Sequence, residues 1–273
     1  MVTKVFDEGN PLSKLLHELR GRIIRISISV IVTISVCMTM SITTYSLGYY
    51  KIPILYPDPL HNISIQVIMF MRDTLLPKSV TIIQVAPGQA LSAQIFVAII
   101  TGLIISMPIM FREIIAFVDP ALHSHERKII KNIVFPAIFL FVAGCFFSYY
   151  LVVPYTIEFL YKYGQAMDVA SFFEITQFIS FSMLLLIIFG FSYQLPLLIW
   201  VLTKTKVVKP RFWRANIRYV VIMLVLFGAF ITPDGSGVTM WFVIGPMLLL
   251  YVIGTLAAEL KLGNNFSENT DIP

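Results

Sequence analysis

Residues 175–203 have the sequence ITQFISFSMLLLIIFGFSYQLPLLIWVLT, which contains no Asp, Glu, Lys or Arg. A helix needs roughly 20 apolar residues to cross the hydrocarbon core of a bilayer. This run is long enough to do so, and it therefore predicts a transmembrane helix. Further charge-free runs lie on both sides of it, at 26–50, 79–111, 132–157, 219–233 and 235–258.

Together these runs predict an all-α polytopic membrane protein with six transmembrane helices in one membrane domain. Residues 1–22 form the predicted N-terminal segment and residues 259–273 the tail. The last two spans are predicted to be short, since the run 219–233 gives only about 22 Å of helix at 1.5 Å per residue. The predicted spans are 23–45, 89–111, 133–153, 176–202, 217–231 and 238–258.

Composition supports the same fold class. The 273 residues are 58% hydrophobic and only 13% charged, whereas a soluble domain carries roughly 25% charged residues. This composition excludes a disordered chain, a disulfide-rich miniprotein and a nucleic-acid-binding module. The polar first 22 residues lack the short apolar core of a cleavable signal peptide, so the first span is expected to be retained.

The distribution of cations predicts the orientation. Of the 20 Lys and Arg residues, 16 lie in residues 1–25, in the linkers 112–131 and 203–218, or in the tail. Lys and Arg concentrate on the cytoplasmic side of membrane proteins. We therefore expect a cell-membrane protein with both termini in the cytoplasm.

The segment 46–88 is predicted to be external and partly structured. Ser64–Leu76, SIQVIMFMRDTLL, has the pattern of a short amphipathic helix lying at the membrane interface. Thr81–Val85 is expected to be extended.

No enzymatic motif is present. The sequence lacks the H-E-x-x-H, G-x-S-x-G and P-loop patterns. His123, His125 and Glu126 could be metal ligands, but without Cys or further His nearby a solvated linker is favoured. Cys37 and Cys145 lie in apolar stretches and are expected to be small buried hydrophobic residues. We expect no catalysis, no metal and no cofactor.

Three polar residues leave alternatives open. Glu18 and Glu126 are carboxylates on an otherwise basic face, where each could pair with a nearby Arg or Lys or accept a guanidinium ligand in bidentate fashion. Gln194 lies within an apolar run and needs a hydrogen-bond partner. That partner could be a neighbouring helix of the chain. Alternatively, Gln194 with Tyr193 and Pro196 could form a docking point for another membrane helix.

Several blocks of sequence resemble the TatC family, the multispanning receptor subunit of twin-arginine protein translocation. The block in the first cytoplasmic loop, Met107–Lys128, is the longest and most specific of them, because it contains the pattern A-F-x-x-P-A-L-x-x-x-E-[RK]. The blocks are Leu16–Ile23 (LHELRGRI), Met107–Lys128 (MPIMFREIIAFVDPALHSHERK), Phe189–Pro196 (FGFSYQLP), Thr232–Asp234 with Pro246, and Pro59 within Tyr56–Leu60 (YPDPL).

This resemblance implies a function in protein export. Members bind the twin-arginine signal peptides of folded cargo at the cytoplasmic face, use the proton-motive force, and assemble with single-span TatA/TatB-type partners and with further copies of themselves. Motif by motif, the signal-peptide residues would be Glu18, Arg20, Phe117 and Glu126, and Pro59 would belong to the external loop. The chain departs from the family at Gln194, where members often have Glu, which puts in doubt any role that requires ionisation.

Two other functions remain open at this point. A six-span carrier of small solutes should show polar or charged residues and broken helices at the membrane midplane. A non-catalytic membrane scaffold would need neither feature. No nucleic-acid partner is expected, and the lipid bilayer is the surroundings in all three cases.

Overall fold

The structure, a computed structural model, describes residues 11–47, 50–77, 80–118, 133–168, 172–232 and 237–262. Helices dominate these residues. In chain order the helices are α1 Pro11–Thr39, α2 Ile63–Leu75, α3 Gln89–Val118, α4 Val134–Phe147, α5 Val153–Gln165, α6 Ile175–Ser192, α7 Leu195–Lys204, α8 Pro210–Ala215, α9 Ile217–Ile231 and α10 Val238–Leu262. A five-residue π-helical turn, Ser148–Val152, joins α4 to α5.

The chain is a multipass membrane protein. Within the described residues, five helical stretches are long and apolar enough to cross a bilayer: Leu15–Thr39, Gln89–Phe117, Val134–Gln165, Ile175–Lys204 and Val238–Lys261. Helix α9 has only 15 residues and is the short helix that the sequence predicts. The prediction of a short last span is wrong, because α10 has 25 residues. The good helix formers Ala257–Lys261 extend it beyond residue 258.

The first helix ends earlier than predicted. We expected a span to residue 45, but α1 stops at Thr39 and a strand β1, Met40–Leu47, begins at the next residue. Strand β1 pairs antiparallel with β2, Tyr50–Pro57. Strand β1 contains Thr, Ile and Tyr, and β2 contains Ile and Tyr; these residues favour extended backbone. Hydropathy alone does not distinguish such a segment from the end of an apolar helix.

A second small sheet also departs from the all-α prediction. Strand β3, Thr81–Ile83, pairs in parallel with β4, Phe172–Glu174. The extended segment expected at Thr81–Val85 is therefore present as a strand in its first three residues. The amphipathic helix predicted at Ser64–Leu76 is present as α2, which is shifted by one residue.

Two other predicted span ends also differ from the helix ends. Helix α3 continues seven residues beyond 111 to Val118, since nothing from Ile109 to Val118 breaks a helix. The third helical stretch continues past 153 to Gln165. Pro154 does not stop it, because proline is tolerated in the first turn of a helix.

The chain divides into two compact units. In the first unit, residues 1–73 and 84–138, helix α1 packs along α3. A side chain at Gly102 would place its Cβ 2.7 Å from Cγ1 of Ile34, so the absence of a side chain permits this approach. The hydroxyls of Thr33 and Ser106 lie 3.0 Å apart across the same interface. This packing holds the start of α1 beside the end of α3.

The second unit, residues 74–83 and 139–273, is also packed through glycines. A Cβ on Gly144 of α4 would lie 2.5 Å from the backbone oxygen of Phe189 in α6. A Cβ on Gly254 of α10 would lie 2.8 Å from Cα of Pro196 in α7. Small residues let helix backbones approach closely, which drives helix association in lipid, where the hydrophobic effect does not act.

Candidate functional site

A cluster of charged side chains joins the start of α1 to the last third of α3. Glu18, Arg22 and Arg25 follow one another at spacings of four and three residues, so they share one face of α1. Glu113 of α3 faces them. The cluster therefore depends on the close packing of α1 on α3 described above.

Arg22 lies between two carboxylates. Its Nη2 atom donates to Oε1 of Glu18, one helical turn earlier. Its Nη1 atom lies 3.6 Å from Oε2 of Glu113 and 3.5 Å from the carbonyl oxygen of the same residue. Arg25 also reaches Glu113, with Nη2 3.3 Å from Oε2. The cluster thus contains two carboxylates and two guanidinium groups, and its charges cancel.

The members of the cluster differ in their access to solvent. The side chains of Glu113 and Arg22 are only 7% and 14% exposed, whereas those of Glu18 and Arg25 are 40% and 58% exposed. Glu18 is therefore the carboxylate that a ligand from solution can reach. Glu113 forms the buried end of the cluster.

Two buried atoms of the cluster lack hydrogen bonds. Neither Nε of Arg22 nor Oε2 of Glu113 has a hydrogen-bond partner among the residues that the structure describes. The 3.3 Å and 3.6 Å contacts of Oε2 are ion pairs without hydrogen-bond geometry. Buried polar atoms without a hydrogen bond are rare in folded proteins. A rearrangement of side chains that gave either atom a partner would therefore be favourable.

The predicted signal-peptide residues are partly brought together. Glu18 and Arg20 lie near the start of α1, and Arg20 is exposed. Phe117, which is half-buried, lies near the end of α3, four residues beyond Glu113 and hence on the same side of that helix. Glu126 lies outside the described residues.

Glu113 is not among the site residues predicted from the sequence. It falls in the predicted cytoplasmic linker 112–131, together with several other charged residues. A signal was present, because no helix breaker follows Phe111 and the second helix should therefore continue beyond Glu113. Two arginines on the same face of α1 as Glu18 also favour a second carboxylate opposite them.

The second predicted site lies at a break in the fourth span. Helix α6 ends at Ser192 and α7 begins at Leu195. The amide of Gln194 donates to the carbonyl of Phe191, three residues back, at 2.9 Å. Pro196 has no backbone N–H, so it cannot donate the next helical hydrogen bond of α6. This missing bond explains the break.

The neighbours of Gln194 contact their own chain. The ring of Tyr193 lies 5.7 Å from that of Phe147, and Pro196 lies against Gly254. Gln194 itself is half-buried and forms further interactions within the chain. Docking of a partner helix at Gln194, Tyr193 and Pro196 remains a prediction.

Pro59 lies in a well-bonded turn between β2 and α2. Its carbonyl accepts a hydrogen bond from Nδ2 of Asn62 at 2.9 Å, and the same amide reaches the carbonyl of Met38 at 2.8 Å. Desolvation raises the pKa of Asp58. Hydrogen bonds from the His61 side chain and from the backbone amides of Leu60 and His61 outweigh it, so the pKa of Asp58 is lowered. The turn thus ties the loop to the end of α1.

The alternative metal site cannot be located in the fold, because His123, His125 and Glu126 lie outside the described residues. In the described part of the chain, no three His, Cys, Asp or Glu side chains form a group suited to a metal ion. Cys37 and Cys145 are buried free thiols, as predicted.

Comparison with known proteins finds a family model and several relatives that match most of the chain. The family model described as Sec-independent protein translocase protein (TatC) matches residues 14–246. The chain is 44% identical over 257 residues to the Sec-independent protein translocase protein TatC of Cenarchaeum symbiosum, covering 91% of this chain and 94% of that protein. It is 28% identical over 253 residues to the TatC protein of Aquifex aeolicus, covering 92% and 95% respectively.

A solved structure is similar over nearly the same length. The crystal structure described as the twin-arginine translocase receptor TatC superposes with a TM-score of 0.74 at 26% sequence identity. The match covers 90% of this chain and 98% of that chain.

Proposed function

This chain belongs to the TatC family of Sec-independent protein translocase proteins, and on that basis we propose that it is the receptor subunit that binds twin-arginine signal peptides of folded cargo. Binding occurs at the cytoplasmic face. Glu18 and Glu126 each accept one arginine of the signal, and Arg20 and Phe117 line the same surface.

One observation carries this proposal furthest: the carboxylate of Glu18 already binds a guanidinium group, that of Arg22. Its position is therefore chemically suited to arginine. A carboxylate prefers arginine to lysine because the planar guanidinium presents parallel N–H donors, whereas an ammonium is a point charge. Glu18 is also 40% exposed and can be reached from solution.

The proposal includes the orientation and the partners of the chain. Both termini lie in the cytoplasm, as the distribution of Lys and Arg predicts. Single-span TatA/TatB-type subunits associate with this chain and complete the path for cargo, and the proton-motive force drives export. Gln194 contributes to the docking of such a subunit.

Site-specific crosslinking tests the binding site. Leu15 is 50% exposed and lies three residues before Glu18, on the same face of α1, while Leu60 is 78% exposed in the predicted external loop. A photoreactive amino acid is placed at each position in turn, in inverted membrane vesicles whose cytoplasmic face is outward. An Arg-Arg signal peptide or its Lys-Lys counterpart is then added.

We expect the Arg-Arg peptide to crosslink at position 15 and not at position 60, and the Lys-Lys peptide to crosslink weakly at both. Equal crosslinking of the two peptides at position 15 would indicate contact without recognition of arginine. Absence of any crosslink at position 15 would contradict the proposed site.

A further inference from the structure

The charged cluster contains two carboxylates that could bind Arg22, although one would be enough to link α1 to α3. Arg22 donates hydrogen bonds to the carboxylate of Glu18 and to the backbone carbonyl of Glu113, but not to the carboxylate of Glu113. Meanwhile Oε2 of Glu113 lies 3.6 Å from Nη1 of Arg22 and has no hydrogen bond among the described residues. The arrangement holds a guanidinium on the exposed carboxylate and keeps a second acceptor beside it.

We propose that Arg22 is an internal ligand of Glu18 that an arginine of the signal peptide replaces, and that Glu113 receives the displaced Arg22. This inference rests on the proposed function, because it assumes that Glu18 binds the signal. It assigns a role to two residues, Arg22 and Glu113, that lie beside the peptide site. Both are positioning residues, since neither needs to touch the peptide.

The exchange is favoured by the atoms that lack hydrogen bonds. Both Nε of Arg22 and Oε2 of Glu113 are buried without a hydrogen-bond partner among the described residues. Leaving such atoms unpaired costs free energy, and pairing them with each other recovers it. A change in the side-chain rotamer of Arg22 is enough, since its Nη1 is already within 3.6 Å of the acceptor.

The exchange also keeps Arg22 paired with a carboxylate. If Arg22 had no second partner, a peptide arginine on Glu18 would leave a largely buried cation beside another cation, which is unfavourable. With Glu113 as the acceptor, Arg22 stays paired while Glu18 is released. Signal binding therefore replaces one guanidinium by another at Glu18, and Glu113 then pairs with both Arg22 and Arg25.

The experiment measures the dissociation constant of a fluorescent Arg-Arg signal peptide for the full chain in lipid nanodiscs. The variants are Arg22→Gln, Glu113→Gln, both together, and Glu18→Gln. Arg25→Gln is the matched control, because Arg25 also contacts Glu113 but has no ion pair with Glu18 among the described residues. It removes the same charge from the same helix face and reports the general effect of that loss on a cationic peptide.

We expect Arg22→Gln to bind the peptide roughly 2- to 5-fold more tightly than Arg25→Gln, since a partly exposed ion pair contributes up to about 1 kcal/mol. Glu113→Gln should weaken binding by a similar factor in the wild-type background. In the Arg22→Gln background the same change should have no effect, because no displaced guanidinium then needs an acceptor.

Two results would overturn the exchange: Arg22→Gln binding no more tightly than Arg25→Gln, or Glu113→Gln weakening binding equally in both backgrounds. If Arg22→Gln does not yield a monodisperse protein, Arg22→Lys replaces it. Lysine keeps the charge but lacks the parallel N–H donors of a guanidinium, so it should hold Glu18 less well and the variant should bind the peptide more tightly than wild type. An unchanged affinity for the peptide would overturn the exchange. An unchanged affinity in Glu18→Gln would instead contradict the proposed function itself, which separates the two failures.

Discussion

The Nη1 atom of Arg22 on α1 lies 3.6 Å from a carboxylate oxygen of Glu113 on α3, although 91 residues separate the two in the sequence. This ion pair links the proposed binding surface to the packing of the first unit. Glu113 is nearly buried, while Glu18 at the other end of the cluster is partly exposed. One cluster can therefore contribute both to stability and to ligand recognition.

Glu113→Ala should destabilise the protein. The change leaves Arg22, which is largely buried, without its partner on α3, and leaves Arg25 without its ion pair. We expect a loss of about 1–3 kcal/mol, between the values for exposed pairs and for fully buried ones. The measurement is thermal unfolding of the purified protein in one detergent.

Glu158→Ala is the control for that measurement. Glu158 pairs with Lys162 at 2.6 Å, but the two side chains are 49% and 69% exposed. Exposed pairs contribute less than about 1 kcal/mol, so unfolding should shift little. Equal shifts for the two variants would show that Glu113 contributes no more than a surface charge.

Gly144→Ala should lower the stability of the second unit. The added Cβ would lie 2.5 Å from the backbone oxygen of Phe189, so α4 and α6 must move apart. Overpacking of this kind costs about 1–3 kcal/mol. Gly245→Ala is the matched control, since a Cβ there would meet no atom within 4 Å. Thermal unfolding of both variants should show a loss only for Gly144→Ala, and a similar loss for Gly245→Ala would contradict this packing.

The membrane-spanning segments could be predicted from the sequence because charged groups are costly in hydrocarbon. Long charge-free runs therefore mark spans, and each such run contains a helix. The same argument cannot locate helix ends. A helix such as α3 carries Arg112 and Glu113 beyond its apolar part, and the segment Met40–Leu47 is apolar enough for a helix but forms a strand.

The candidate site was predicted only in part. The sequence singled out Glu18 by its motif, and the structure adds that Arg22 binds it. Glu113 could not be paired with Arg22 from spacing, since their contact depends on how α1 packs against α3. The break before Pro196 was predictable because proline lacks an N–H, but the contact of Pro196 with Gly254 depends on tertiary packing.

Cysteine labelling in intact cells tests the orientation. In a chain with Cys37 and Cys145 replaced by Ala, single cysteines are introduced as Leu60→Cys and Val207→Cys, at positions 78% and 71% exposed. A membrane-impermeant maleimide should label position 60 in intact cells and position 207 only after permeabilisation, as the distribution of Lys and Arg predicts. The reverse pattern would contradict the proposed topology.

Gln194→Leu should weaken the association with a single-span partner. Hydrogen bonds between membrane helices contribute about 0.6–2 kcal/mol, enough to tune association without determining the fold. We expect normal amounts of folded protein and normal binding of signal peptide, but reduced crosslinking to the partner and slower export. Gln194→Glu is the matched variant and should be tolerated. Loss of folded protein in Gln194→Leu, without a separate effect on partner capture, would support a purely intrachain role.

Recognition of paired arginines is tested by the ratio of affinities for an Arg-Arg and a Lys-Lys signal peptide in wild type, Glu18→Gln and Glu126→Gln. Glu259→Gln is the control, since it removes a carboxylate on the predicted cytoplasmic side that pairs with Arg214 instead. Each of the first two variants should weaken Arg-Arg binding by roughly 10-fold or more and reduce the preference for arginine over lysine, while Glu259→Gln should leave the ratio unchanged. A ratio that stays at its wild-type value in both Glu18→Gln and Glu126→Gln would contradict arginine recognition by these carboxylates.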